Sequence, residues 1–140
     1  MLTLFQRGAR HIIVTSRSGR KSLENNPNAV VRRMFSYLEA QEDLTLSFRA
    51  LDGTDKVGMR TLTAEIGHAQ IGGCIVLSAV LADGLFRHLT EKDFSTVFAA
   101  KIGVLEALEE AVDLELLDFI VSFTSVSGLI GFGGQTNYGA

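Results

Sequence analysis

Two residues near the end of the chain have the type and spacing to do chemistry together. Ser125 precedes Tyr138 by thirteen positions, and a glycine-rich stretch from Val126 to Asn137 separates them. Ahead of them runs Leu117-Asp118-Phe119-Ile120-Val121-Ser122-Phe123-Thr124, an apolar segment of strand length that ends in small hydroxyl residues. A buried parallel strand reads as such a continuous apolar run, and open α/β sheets put their chemistry at the C-terminal ends of their strands. A serine at that edge and a tyrosine returned by a flexible loop can converge on one substrate atom. The phenol would donate the proton, and the serine would donate a hydrogen bond to the same oxygen. A phenol is a weak acid, so it needs a neighbouring cation or hydrogen bonds to act near neutral pH. Ser122, Thr124 and Ser127 rival Ser125 on composition alone.

The rest of the chain supplies elements that could hold these groups. Met1 to Gln6 read as the tail of an amphipathic helix that stops at Gly8. His11 to Thr15 is a β-branched run and predicts a strand. Ser16 to Asn26 reads as a polar loop. Asn25-Asn26 followed by Pro27, the only proline, predicts an N-cap and a first-turn proline ahead of a helix from about Asn28 to Ala40, with Val30, Val31, Met34, Phe35 and Leu38 at helical spacing. Leu44 to Leu51 alternates and predicts a strand with one wetter face, and Asp55 to Ile66 predicts a weaker helix. Gly73 to Ala79 predicts an apolar strand. Glu91 to Val112 predicts the longest helix, packing through Phe94, Val97, Phe98, Leu105 and Leu108 and presenting Glu106, Glu109 and Glu110 to solvent. Leu117 to Ser125 closes the series as a strand. Strands alternating with helices predict a parallel sheet with crossover connections, in one domain spanning 1–140.

The totals narrow the classes of function. A chain of 140 residues suffices for one core, and 46% hydrophobic against 21% charged residues is an ordinary globular balance. A net charge of −3 gives no reason to expect nucleic acid or an anionic membrane as partner. No apolar run approaches the roughly 20 residues of a membrane span. The start is too soon charged for a secretion signal, so a reducing cytoplasm is expected. Cys74 is the single cysteine and sits in an apolar run, which favours a buried, inert thiol. His11, His68 and His88 show no metal-ligand spacing among themselves or with Cys74.

The segment Phe123-Thr124-Ser125-Val126-Ser127-Gly128-Leu129-Ile130-Gly131-Phe132-Gly133-Gly134-Gln135-Thr136-Asn137-Tyr138-Gly139-Ala140 resembles the serine-to-tyrosine segment of polyketide-synthase ketoreductase domains. These belong to the short-chain dehydrogenase/reductase superfamily. The resemblance extends through Arg7-Gly8-Ala9-Arg10-His11-Ile12-Ile13-Val14-Thr15-Ser16-Arg17-Ser18-Gly19, Val80-Leu81-Ala82-Asp83-Gly84-Leu85-Phe86, Leu89-Thr90 and Ala100-Lys101-Ile102-Gly103. It covers nearly the whole chain in order. The resemblance implies a Rossmann-like parallel sheet with flanking helices. It implies NADPH-dependent reduction of a β-ketoacyl thioester to a β-hydroxyacyl thioester, with the substrate delivered on an acyl carrier protein within a megasynthase.

Site residues follow from the same resemblance. Tyr138 would be the general acid, and the thirteen-residue spacing favours Ser125 as the group that orients the carbonyl. Lys101 matches the catalytic lysine that these domains carry on their long helix; it would hold the cofactor ribose and favour proton transfer from Tyr138. Arg17 directly follows the first strand, where an arginine accommodates the 2′-phosphate of NADP and an acidic residue would bind NAD. Ser16 could add a hydroxyl. Asp52 matches an acidic turn that contacts the adenine, whereas Asp55 could equally cap a helix. At Val80-Leu81-Ala82-Asp83 the family often reads Leu-Asp-Asp; here Ala82 replaces the first Asp, so no face of hydride delivery is assigned.

The sequence also departs from the family. No strand followed by Gly-x-Gly-x-x-Gly opens it. The reading is therefore of a truncated domain, lacking the first strand with its glycine loop and the C-terminal part. In the usual order 3-2-1-4-5-6 the lost strand is an inner one. The family's asparagine four residues beyond the tyrosine would fall past Ala140, and Val76 stands where a family histidine is expected. Two other readings remain open. One is a non-catalytic remnant that binds cofactor weakly, because no backbone amides replace the pyrophosphate cradle. The other is a free-standing dehydrogenase acting on a small alcohol or ketone.

Overall fold

The computed structural model describes residues 1–67 and 71–140. His68 lies outside the described residues, so its expected surface role is not addressed. The chain divides into two compact units, Met1–Asp52 and Gly53–Ala140.

In the first unit, α1 (Leu2–Gln6) leads through Gly8, at φ +103°, into β1 (His11–Ser16). A short helix α2 (Lys21–Glu24) interrupts the expected loop. Helix α3 (Ala29–Glu39) is capped by Asn28, whose side chain accepts from the Val30 N–H. The start signal is thus the Asn28 carboxamide, and Pro27 lies ahead of the cap. Strand β2 (Thr45–Ala50) pairs parallel with β1, with Ser16 opposite Ala50. Ile12, Leu38 and Leu44 form the core, with Leu2, Leu4, Phe5 and Leu46 packed against it. Phe35 meets Phe48 edge to face at 5.2 Å. Of the helical stripe only Phe35 and Leu38 are buried, while Val30 points outward.

The second unit opens with α4 (Lys56–Ile66), capped by Asp55 through the Gly58 N–H. Strand β3 (Gly73–Val76) pairs parallel with β4 (Phe119–Ser122). The long helix runs as α5 (Glu91–Phe98), a π turn (Ala99–Gly103) and α6 (Val104–Ala111). Thr90 and Asp93 form a capping box at its start. Helix α6 packs on α4, and the buried Thr63 hydroxyl donates to Ala111 O at 2.8 Å. Two short helices, α7 (Ser127–Ile130) and α8 (Thr136–Gly139), follow β4.

The strands therefore form two separate parallel pairs, β1–β2 and β3–β4. That division is the one expected of the order 3-2-1-4-5-6 without its first strand, which leaves the second strand with the third and the fourth with the fifth. Two expectations need correction. Strands β3 and β4 are shorter than their apolar runs. Moreover, β4 is not buried: Phe119, Ile120 and Val121 are each more than 40% exposed. Among the described residues β4 has only β3 as strand neighbour, so its apolar sequence exceeds the cover it receives. Glu110 lies on the expected exposed acidic face and there bridges to Lys56 Nζ at 2.5 Å and Arg60 Nη1 at 3.0 Å on α4.

Candidate active site

The C-terminal edge of the β3–β4 pair gathers the chemistry of the second unit. Ser125 stands three residues past β4, half-buried. Its Oγ accepts from the Ser127 N–H at 3.1 Å and donates to Ser127 Oγ at 3.0 Å. Ser127 is buried, and its hydroxyl donates to Gln135 Oε1 at 3.1 Å. The Gln135 amide donates to Asp83 Oδ2 at 3.1 Å. A carboxylate only accepts, so Asp83 fixes which end of the Gln135 amide faces Ser127. Asp83, retained where Ala82 departs from the family pattern, is thus tied by two intervening side chains to Ser125.

The same segments are joined at the backbone. The Gly84 N–H donates to Gly134 O at 2.8 Å, and Asn137 Nδ2 donates to Ala82 O at 2.8 Å. Gly134 takes φ +81°, a conformation that suits glycine, as the chain turns back toward Gly84. Tyr138 lies half-buried on α8, directly after the fully buried Asn137. Asn137 Oδ1 has no hydrogen-bond partner among the described residues. Helix α8 packs on α5 and α7. A Cβ on Gly139 would come within 3.0 Å of Ser127 O, so glycine there lets the tyrosine-bearing helix close on the serine loop.

Lys101 lies on the π turn, and its Nζ donates to Phe123 O at 2.5 Å. Phe123 is two residues ahead of Ser125, so the ammonium sits at the end of the strand that delivers the serine. Ser78, two residues past β3, donates to Ala100 O in the same π turn at 2.6 Å. Cys74, on β3, is half-buried, and burial pushes its thiol pKa up, which keeps it protonated and unreactive.

In the first unit, Ser16, Arg17 and Asp52 share the C-terminal edge of the β1–β2 pair. The Leu51 N–H donates to Ser16 O at 2.9 Å, which holds the two strand ends side by side. Ser16 Oγ donates to Gly19 O at 3.2 Å. Arg17 is exposed and has no hydrogen-bond or ion-pair partner among the described residues. Arg20 differs: its guanidinium pairs with Glu24 and Glu39, each at 2.5 Å, and lies 5.2 Å from the Phe35 ring centre. The hydrogen bonds it donates to Glu24 and then Glu39 raise its pKa. Its charge thus serves the fold, whereas the Arg17 guanidinium is open to a ligand at this edge.

Sequence reasoning did not single out Gln135 or Ser78 and treated Ser127 only as a rival. A hydroxyl amid Ile75-Val76-Leu77 and Ala79-Val80-Leu81 was the available signal for Ser78. Gln135 gave none, because its partner Asp83 is 52 residues away.

Parallel strands flanked by helices, with polar side chains gathered at the strands' C-terminal ends, define an α/β protein of the Rossmann-like class. The family model for the KR domain matches residues 1–140, and the chain belongs to that family. It is 34% identical over 135 residues to the highly reducing polyketide synthase stpks1 of Strobilurus tenacellus, covering 96% of this chain and 5% of that protein. Among solved structures it resembles A-type ketoreductases from a modular polyketide synthase, with a TM-score of 0.79, 27% identity, and coverage of 98% of this chain and 28% of that one. It also resembles PlmKR1, a ketoreductase from the first module of phoslactomycin biosynthesis in Streptomyces sp. HK803, with a TM-score of 0.79, 25% identity, and coverage of 96% of this chain and 30% of that one. The chain thus spans a small part of the length of each of these proteins.

Proposed function

We propose that this chain is part of an NADPH-dependent ketoreductase that reduces a β-ketoacyl thioester to a β-hydroxyacyl thioester. The thioester would arrive on an acyl carrier protein, and the other domains of a polyketide-synthase-type megasynthase would be its partners. The observation that carries the reading is the bond from Lys101 Nζ to Phe123 O, which brings the ammonium to the strand end that bears Ser125.

Arg17 and Ser16 would hold the 2′-phosphate of NADPH, with Asp52 at the adjoining strand end toward the adenine. An exposed guanidinium at the C-terminal edge of β1 suits that phosphate. Bound NADPH would supply the hydride that adds to the β-carbonyl carbon. Ser125 would turn its hydroxyl from Ser127 Oγ to donate to the carbonyl oxygen and fix its direction. Tyr138 transfers its proton to that oxygen as charge develops there. Lys101 would hold the ribose, and its positive charge would favour the phenolate that Tyr138 becomes.

The test is Tyr138→Phe in the protein that carries this chain, assayed with a β-ketoacyl thioester and NADPH. The expected loss of kcat is at least about a hundredfold, the range of a positioned general acid. Near-wild-type turnover would refute the assignment.

A further inference from the structure

The turn that carries Lys101 is held from outside its own helix. In an uninterrupted α-helix the Val104 N–H would bond Ala100 O. Here that N–H goes to Lys101 O. The Ala100 carbonyl is taken by Ser78 Oγ, which approaches to 2.6 Å from the segment after β3. Ser78 is half-buried, so its bond is partly shielded from competing water. Remove the hydroxyl, and the nearest donor for Ala100 O along the helix is again Val104. Closing that bond converts the π turn to α geometry and changes the phase of the helix there by up to about 100°. Lys101 follows the bonded carbonyl by one residue. Its side chain would then leave the helix in another direction, away from Phe123 O.

We propose that Ser78 is a positioning residue for Lys101: by holding the Ala100 carbonyl it keeps the π turn open and aims the ammonium at the Ser125 end of β4. The proposal rests on the reductase reading, in which Lys101 assists Tyr138.

A double-mutant cycle in the protein that carries this chain tests it, with Ser78→Ala, Lys101→Met and the pair, read as kcat/KM for a β-ketoacyl thioester. Ser78→Ala is expected to lower kcat/KM about tenfold, and Ser78→Thr, which keeps a hydroxyl, to recover most of it. In the Lys101→Met background Ser78→Ala should change the rate less than about twofold, since the two residues act through one interaction. Amide exchange without cofactor should slow at Val104 in Ser78→Ala, as its N–H closes onto Ala100 O in an α turn, and stay as in wild type in Ser78→Thr. Equal losses in both backgrounds, or unchanged exchange, overturn the proposal. If Lys101→Met alone leaves kcat/KM intact, the reductase role of Lys101 falls, while the exchange data still report whether Ser78 holds the turn. Should Ser78→Ala fail to fold, Ser78→Cys, a weaker donor of similar size, carries the same cycle.

Discussion

Gln135 donates to Asp83 across 52 residues of sequence, at 3.1 Å, and its other end accepts from Ser127. One amide therefore ties the segment after β3 to the loop that carries Ser125. Gln135→Glu should be worse than Gln135→Ala, because it sets a second carboxylate against Asp83 and removes the donor. Gln135→Glu should lower kcat/KM by about tenfold or more relative to wild type, with Gln135→Ala in between. Steady-state kinetics of both variants check this; equal activity of Gln135→Glu and wild type would break the link drawn here.

Arg17 should decide between the two nicotinamide cofactors. A charge-assisted contact to a phosphate contributes on the order of 1.4 kcal/mol, a factor of ten in affinity. Arg17→Ala is expected to raise KM for NADPH about tenfold and leave KM for NADH nearly unchanged. Loss of both affinities in parallel would assign Arg17 to the fold instead.

Glu110 makes the packing of α4 on α6 sensitive to acid. The hydrogen bond from Lys56 is the main reason its carboxyl pKa lies below the ordinary 4.5. A carboxylate depressed in the folded state binds its proton more readily when unfolded. Its stabilisation is therefore present above pH 4.5 and fades as pH falls through the folded-state value. Both groups are solvent-exposed, and salt should weaken the effect. Glu110→Gln should unfold slightly earlier than wild type at pH 7, and no earlier at a pH acid enough to protonate the glutamate in both states. Thermal melts at both pH values, with and without salt, measure this.

Thr63 satisfies a carbonyl at the C-terminus of α6, where the helix supplies no partner of its own. Thr63→Val keeps the shape and removes the hydroxyl, leaving Ala111 O buried without that donor. A loss of about 1–2 kcal/mol is expected, a fall in melting temperature of several degrees. Thr63→Ser should keep most of the stability, and calorimetry distinguishes the two.

What could be read in the sequence was local. Asp55 announces its helix by side-chain chemistry at the cap and caps as that chemistry dictates, whereas α3 is capped by Asn28 and not by the Asn25-Asn26 pair ahead of Pro27. The β-branched run from His11 and the alternation through Phe48 gave β1 and β2 within a residue or so of their ends. The family motif singled out Ser125, Tyr138 and Lys101, and the last of these lies against the Ser125 strand end. What escaped depends on partners distant in sequence. Apolar composition promised burial for β4, but burial requires a neighbour, and composition does not say whether one is present. Glu110 is exposed, as its helix face predicts, but its own helix does not show that α4 brings Lys56 to it. The π turn carries no residue that announces it, because Ala99-Ala100-Lys101-Ile102-Gly103 suits an ordinary helix equally well.

That turn also explains how one rod can serve two neighbours. An added residue in a helical winding rotates everything beyond it by about a quarter of a revolution. The apolar stripe through Val97 and the stripe through Ala107, Leu108 and Ala111 need not line up, and the two halves pack against different helices, α5 on α8 and α6 on α4. A straight helix of this length would have to offer both partners a single continuous seam. The offset frees each half to suit its own, and Lys101 emerges at the joint between them.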